Sequence, residues 1–204
     1  MKRGFIAGAL LLAMVNGWAA AASPPTVVSG RPKSKLVELE EILRARNDND
    51  PRLDHDFNDL SSGDKRALRK KYSAISPEKR NERGTVVYLL GRNLKSSEDW
   101  AFFRKVALER PCLSLSDCSR KPAPGSDEEA AGDEVTLAYP SLVALRQAGR
   151  AAEAERARAS SRSAIRTAAE TEALGLFAAA KTSKTRAVAR TAETLERKFQ
   201  PRSR

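Results

Sequence analysis

The sequence predicts an all-α fold made of short antiparallel helical hairpins, followed by an Ala- and Arg-rich helical tail at the C-terminus. Two observations lead to this prediction. Apolar residues recur at spacings of three and four in successive segments, as on one face of a helix. Seven of the nine aromatic residues after residue 22 lie between residues 57 and 139, which places the densest part of the core there.

The first 22 residues predict a signal peptide that is not part of the fold. Lys2 and Arg3 form a positive start, and Phe5 to Val15 is an unbroken apolar or small run. The small residues that follow fit a signal peptidase site between Ala22 and Ser23. The run is about half of the roughly 20 residues that span a bilayer. We therefore expect a periplasmic or secreted protein with no transmembrane segment after cleavage. An uncleaved membrane anchor is the alternative.

Residues 36–150 are predicted to form a helical body after a linker at residues 23–35. Stripes with helical spacing predict its first four helices, and their apolar residues are Leu36, Leu39, Ile42 and Leu43; Leu68, Tyr72 and Ile75; Val87, Leu90 and Leu94; and Trp100, Phe103, Val106 and Ala107. Ser76 and Pro77 are expected to begin the third helix as N-cap and first residue. Ser96-x-x-Asp99 resembles a capping box and opens the fourth. Few residues join these two helices, so we expect an antiparallel hairpin.

Cys112 and Cys118 follow the fourth helix and are the chain's two cysteines. In an exported chain, pairing is their expected state. The short loop is then expected to pin the end of the helix and to turn Leu113 and Leu115 inward. A redox-active pair is the alternative, although such pairs more usually have the C-x-x-C spacing. Residues 121–133 are predicted to be an exposed linker, and a last apolar helix after it closes the body.

Short helices that succeed one another, with proline at helix starts, resemble the α-helical repeats of HEAT and armadillo proteins. The resemblance covers about residues 62–150, and the segment 82–92 is similar to an inner repeat helix. It implies a protein-interaction scaffold without catalytic residues. A plain helical bundle is the alternative, because the chain lacks a clear repeat of roughly 40 residues.

Residues 151–204 are predicted to form a cationic helical tail. Residues 23–145 hold 21 basic and 20 acidic residues, whereas residues 146–204 hold 14 basic and 6 acidic residues. Two stripes predict two helices broken near residues 181–184, with Ile165, Ala169, Glu172 or Ala173, Leu176 and Ala180 in one and Val188, Ala192, Leu195 and Phe199 in the other. Because most dense apolar packing precedes residue 146, we expect the body to fold without the tail.

Five aspartates crowd the segment 48–59, at positions 48, 50, 54, 56 and 59. Asp54-x-Asp56-x-Asn58 matches the first three ligand positions of an EF-hand loop. The match then fails, because Asp59 stands in place of glycine and Lys65 in place of the glutamate that completes the calcium shell. We expect a solvated acidic turn, with a calcium site as the alternative. His55, which lies inside this cluster, is expected at the surface.

Composition narrows the range of functions. The chain has 1 His and 2 Cys, and it lacks the phosphate-loop, serine-hydrolase and zinc-protease motifs. We expect no catalytic, cofactor-binding or metal-ligating residue, no cofactor and no small-molecule substrate. The first function class is an exported scaffold that binds another envelope protein. The second is a tail that binds anionic lipid, lipopolysaccharide or nucleic acid through its arginines. An enzyme that uses carboxylates of the acidic cluster comes third.

Overall fold

A computed structural model describes residues 34–122, 132–159 and 167–200 of the chain. Every regular element within these ranges is a helix, which confirms the predicted all-α class. The helices are α1 (Lys35–Ala45), α2 (Arg52–His55), α3 (Ser62–Ala74), α4 (Arg80–Gly91), α5 (Ser97–Ala107), α6 (Glu134–Leu137), α7 (Tyr139–Arg158), α8 (Ala168–Ala180) and α9 (Arg186–Phe199). The predicted cleavage site at Ala22 and Ser23 and most of the linker at 121–133 lie outside the described ranges.

Among the described helices, none is both long enough and apolar enough to span a bilayer.

Side-chain caps fix the starts of several helices. Ser61 and Asp64 form a capping box at α3, and Ser96 and Asp99 form the box that the sequence predicts at α5. Each box satisfies two backbone amides that would otherwise have no partner in the first turn. These caps place the starts of α3 and α5, and hence the faces that the two helices turn toward the core.

The long helix α7 lies at the centre of the fold. Most of its first half is buried, and it packs against α4, α5, α8 and α9. Its small residues Ala144, Ala148 and Ala152 have no exposed surface, so neighbouring helices approach it closely. A helix that packs against four others joins the elements around it into one core. Trp100 and Phe103 of α5 belong to this core, as the sequence predicts.

The closest approach of α4 to α7 depends on Gly91. A methyl group added at Gly91 would overlap the Cβ and Cγ atoms of Gln147 on α7. These atoms are next to the α7 backbone, so they cannot move away without shifting the helix. Glycine at this position therefore sets the distance between α4 and α7.

We expect Gly91→Ala to lower the free energy of unfolding by about 1–3 kcal/mol, the usual cost of overpacking. Gly175→Ala is the matched control, because Gly175 is exposed in the middle of α8 and its nearest neighbour to an added methyl is an Arg104 nitrogen 3.6 Å away. Alanine there should stabilise the chain by about 0.5–1 kcal/mol. Urea unfolding of both variants tests the packing, and equal effects would contradict it.

The described helices beyond residue 150 share the core with the rest of the chain. Val188, Ala192, Leu195 and Phe199 of α9 are buried, which confirms the predicted stripe. The rings of Phe177 and Phe199 stack with centroids 6.1 Å apart. The border drawn at residue 150 falls inside α7, which runs on to Arg158. The independence of body and tail stays a prediction about stability, and the shared core argues against it.

Two local predictions differ from the structure, and one helix is not predicted from the sequence. The third predicted helix begins at Arg80 instead of Pro77, because Ser76 and Lys79 close a turn before it. Leu113 is 43% exposed and not turned inward. Its backbone amide bonds the Cys118 carbonyl at 3.2 Å to close the loop. The one-turn helix α2, in the acidic segment, has no counterpart in the prediction. The hairpin of α4 and α5 stays a prediction, since each helix packs on α7.

Candidate functional site

A groove runs along the surface between α4 and α7, and we call it the α4–α7 groove. It has a volume of about 850 Å³ and is lined by the outer face of α4, by α6, by one face of α7 and by the segment that we call the loop wall, which consists of Asp48, Asn49, Asp50 and the α2 residues Leu53 and Asp54. A recess of about 420 Å³ shares Tyr88, Gln147 and Arg150 with it and extends toward Glu155 and Ala169. The groove and the recess together extend along α7 from Tyr139 to Glu155, which is about 24 Å at 1.5 Å per residue.

The loop wall of this groove is fastened to α4. The Tyr88 hydroxyl donates to the Asp54 carboxylate at 2.9 Å, and the Arg92 guanidinium donates to the Leu53 carbonyl at 2.9 Å and the Asp54 carbonyl at 2.6 Å. Burial, and then the hydrogen bond to Asp54, raises the pKa of Tyr88 above its usual value. Tyr88 therefore remains a neutral hydrogen-bond donor at physiological pH.

A buried asparagine holds the chain that follows this wall. Asn93 is 1% exposed, and its amide donates to the Phe57 carbonyl at 2.7 Å and the Leu89 carbonyl at 3.1 Å. Its oxygen accepts from the Leu60 amide at 3.0 Å. The segment between α2 and α3 is thus tied to the end of α4, which makes the wall a fixed part of the site.

The α7 side of the groove presents a single stripe of the helix. Tyr139, Val143, Arg146, Gln147 and Arg150 all line it, at spacings of three and four that put them on one face. The side chains of Arg146 and Arg150 are exposed, and neither forms an ion pair within the described part of the chain. The opposite wall carries carboxylates, with Asp48 exposed. The groove thus has a cationic side and an acidic side.

The groove offers groups that bind a ligand through hydrogen bonds, charge and aromatic contact. Asn81, Thr85 and Thr136 add amide and hydroxyl groups to the two tyrosines and the two arginines. These groups recognise a polypeptide or another ligand with both polar and apolar parts. Sequence reasoning does not find this site, because α4 and α7 are separated by more than 40 residues. A weak local signal is that Arg146, Gln147 and Arg150 are polar residues in a mostly apolar part of α7.

The acidic segment does not gather its carboxylates around a common point. Asp50 pairs with Arg52 at 2.8 Å, and Asp54 faces Tyr88 and Arg92. The Asn58 amide donates to the Asp54 and His55 carbonyls, both at 3.2 Å. No group of three or more potential metal ligands occurs in the described ranges. His55 is exposed. Of the two aspartates that resemble an EF-hand, Asp54 helps to fix the groove wall through Tyr88 and Arg92.

The sulfur atoms of Cys112 and Cys118 lie at disulfide-bonding distance. Their loop is held against the start of α4, because the Arg80 guanidinium donates to the Leu115 carbonyl at 3.1 Å and the Cys118 amide donates to Glu78 at 3.2 Å. The Cys112 amide donates to the Leu137 carbonyl at 3.2 Å, which ties the loop to α6 as well. The cysteine loop, which follows α5, is thus tied both to the start of α4 and to α6, two helices that line the groove.

Replacing Cys112 and Cys118 by serine should lower the free energy of unfolding by about 2–2.5 kcal/mol, the loop-closure entropy of so short a ring. Intact mass after alkylation, with and without reductant, shows whether the pair is oxidised. The wild-type chain unfolded in reductant is the control and should match the double variant. Two alkylatable thiols in protein isolated from the periplasm would contradict the disulfide.

Basic residues of the predicted tail are partly paired in the structure. Lys181 bonds Glu196 at 2.5 Å, and Arg186 and Lys198 pair with Glu134 at 3.5 Å and Glu153 at 3.1 Å. Residues 168–199 hold six basic and four acidic residues. The described helices α8 and α9 are therefore less cationic than the segment 146–204 as a whole.

Comparison with protein families, with curated proteins and with solved structures gives no match for this chain.

Proposed function

We propose that this chain is an exported helical protein of the bacterial envelope that binds another protein in the α4–α7 groove and carries out no catalysis. The groove carries the proposal. Its loop wall is tied down through Tyr88, Arg92 and Asn93, while Arg146 and Arg150 stand unpaired within the described ranges. A groove with fixed walls and exposed charged side chains on one of them is typical of a binding surface. The likeness to HEAT and armadillo scaffolds belongs to this proposal.

Export and localisation belong to the same proposal. The charged, apolar and small-residue order of residues 1–22 supports a cleaved signal peptide. Cysteines at bonding distance support an oxidising compartment such as the periplasm. The mature protein is expected to begin at Ser23, and N-terminal sequencing of the secreted or periplasmic protein tests this start. A mature chain that retains Met1 and stays in the cytoplasm would contradict export.

Two double variants with the same change in charge distinguish this function from binding of an anionic surface or polymer. Arg146→Glu with Arg150→Glu alters the groove, and Lys184→Glu with Arg190→Glu makes the same charge change at exposed sites outside the groove lining. Each mature variant, in parallel with the wild type, captures binding proteins from an envelope extract at about 0.15 M and about 1 M salt. We expect the groove variant to lose a partner that the wild type and the control retain at both salt concentrations.

The second candidate function is binding of an anionic surface or polymer. Arg146 and Arg150, which form no ion pair with a described residue, favour it, as does the excess of basic residues after residue 145. Such binding follows net charge and weakens steeply with salt. Both paired variants should then elute equally early from heparin and from vesicles of anionic lipid, and no salt-resistant partner should appear. That result would overturn the scaffold proposal.

A further inference from the structure

Gln147 is a residue whose side chain is mostly covered but whose amide opens into the groove. It is 4% exposed, it lines both the groove and the adjoining recess, and its amide makes no hydrogen bond in the described part of the chain. The stem of the side chain lies against Gly91. Neither amide atom of Gln147 is among the fully buried side-chain atoms without a partner in the described ranges, so the amide faces the open space of the groove and not the core. An amide with free donors and a free acceptor in a groove indicates a ligand that offers both, as a peptide backbone does.

One end of the groove is apolar and exposed. Val135 is 50% exposed and Tyr139 36% exposed, and they are two of the five large hydrophobic residues that are exposed within the described ranges. Val143 lies next to them along α7 and lines the same groove. Apolar side chains that remain in water inside a groove mark a site for an apolar group of a partner.

The cationic end begins about two turns further along α7. Arg146 and Arg150 are one turn apart on the same face, and both are exposed and unpaired with any described residue. Two guanidinium groups at this spacing suit one or two carboxylates, which they bind with charge-assisted hydrogen bonds. The carboxylates of the loop wall lie across the groove from these arginines, so they disfavour acidic ligand groups on that side of the groove.

The distance between the two ends sets the spacing in the ligand. Seven to eleven residues of α7 separate Tyr139 from Arg146 and Arg150, which corresponds to about 10–16 Å along the helix axis. An extended peptide covers about 3.3 Å per residue. An apolar residue at one end and an acidic residue at the other are therefore about three to five positions apart in an extended chain.

We infer that the α4–α7 groove binds an extended polypeptide segment of the partner, with an apolar residue against Val135 and Tyr139 and an acidic residue, three to five positions away, against Arg146 and Arg150. The Gln147 amide, which lies between Arg146 and Arg150 along α7, pairs with the backbone of that segment beside its acidic residue. This inference rests on the proposed function, since it specifies what the partner places in the groove.

Synthetic peptides test the spacing. The probes are fluorescein-labelled Gly-Ser peptides with one Leu followed by a Glu pair at separations from one to eight residues, titrated with the mature protein by fluorescence anisotropy. We expect the tightest binding at separations of three to five and at least a tenfold loss when Lys replaces Glu. The Arg146→Glu and Arg150→Glu variant should reverse this charge preference. Affinity that is independent of spacing, or a preference that the variant does not change, would overturn the inference.

The Gln147→Met variant separates binding from folding. Methionine has a similar length and shape but no amide, and the Gln147 amide makes no hydrogen bond in the described part of the chain, so the melting temperature should stay about the same. Binding of the best peptide should fall about tenfold, since the backbone contact is lost. A variant that binds as tightly as the wild type would contradict the role of Gln147. The control Arg190→Glu, outside the groove lining, should leave peptide binding unchanged.

Other occupants of the groove give different results. Sedimentation of the mature chain that shows a dimer, abolished by the Arg146→Glu and Arg150→Glu variant, would identify a second copy of the chain and overturn the inference. So would peptide binding that appears only after residues 23–33 are removed. If the groove variant loses its envelope partner but no peptide shows the expected spacing, the inference fails while the proposed function stands. If the groove variant retains its envelope partner, the proposed function itself is contradicted.

Discussion

Replacing Phe177 with alanine should lower the free energy of unfolding reported by Trp100 by about 3–5 kcal/mol. Phe177 has no exposed surface, and its helix α8 packs on both α7 and α5, the helix that carries Trp100. Trp18 lies in the predicted signal peptide, so fluorescence of the mature chain reports on Trp100 alone. Because both side chains belong to one core, loss of packing at α8 should destabilise the surroundings of Trp100 by the same amount.

Urea titration followed by tryptophan fluorescence and by circular dichroism measures this coupling. The control Arg190→Ala, at an exposed position of α9, should change both transitions by less than about 0.5 kcal/mol. A chain that ends at Gly149 should lose its cooperative transition, because Leu145 and Ala148 would then be uncovered. An unchanged Trp100 transition in Phe177→Ala would show instead that residues 151–204 are the independent tail that the sequence predicts.

Replacing Asp99 with alanine should destabilise the fold by about 3–5 kcal/mol, the range for breaking a buried ion pair. Asp99 is 3% exposed and accepts hydrogen bonds from Lys65 at 2.6 Å and Arg69 at 2.8 Å, which joins α5 to α3. It also closes the capping box of α5. The variant leaves Lys65, itself 7% exposed, without its counter-charge, and this accounts for most of the loss.

Glu98→Ala is the matched control for Asp99. Glu98 is the neighbouring carboxylate and pairs with Arg69 at 3.0 Å, but its side chain is 75% exposed. Exposed ion pairs contribute little, so its loss should cost less than about 1 kcal/mol. Equal effects of the two variants on the urea midpoint would show that the Asp99 cluster is not buried in solution.

The same residue should make the fold sensitive to acid. Burial acts to raise the pKa of Asp99, but the hydrogen bonds from Lys65 and from the Lys95 and Ser96 amides outweigh it and lower the pKa below the ordinary 3.8. A depressed pKa stabilises the folded state above the unfolded value, and this stabilisation is lost as the pH falls through the folded value. Wild type should lose stability below about pH 4. Asp99→Asn should lack that part of the pH dependence.

Local signals allow much of the fold to be predicted. The Ser96 and Asp99 box and the break between α8 and α9 depend on residues that are close in sequence. The stripe from Val188 to Phe199 is equally local, since a helix of 14 residues brings those side chains to one face. Periodicity and capping chemistry act within one or two turns, so one sequence is sufficient to recognise them.

Contacts between distant segments cannot be predicted in this way. Lys65 bonds Asp99 34 positions away, and Gln147 meets Gly91 only because α7 lies on α4. Nothing near Gly91 or Gln147 in the sequence marks them as partners. The groove follows from the same packing, so its residues lie in three separate segments and form no motif.

The difference in net charge before and after residue 146 also fails to predict how the helices pack. Net charge describes the solvent-facing side of a helix, and α7 carries exposed arginines on one face and buried alanines on the other. Small residues bury little area each, which makes a helix look weakly apolar in sequence. They also permit close helix contacts, and this is how α7 occupies the centre of the fold.

Site-specific photocrosslinking in cells that express the chain tests its central claim most directly. A photoreactive residue at Thr85, on the α4 wall of the groove, is compared with one at Arg66, an exposed position of α3 away from the groove lining. A partner that docks in the α4–α7 groove should give a covalent adduct of defined mass from position 85 and none from position 66. An adduct from position 66 alone, or equal adducts from both, would contradict the assignment of the groove as the binding site.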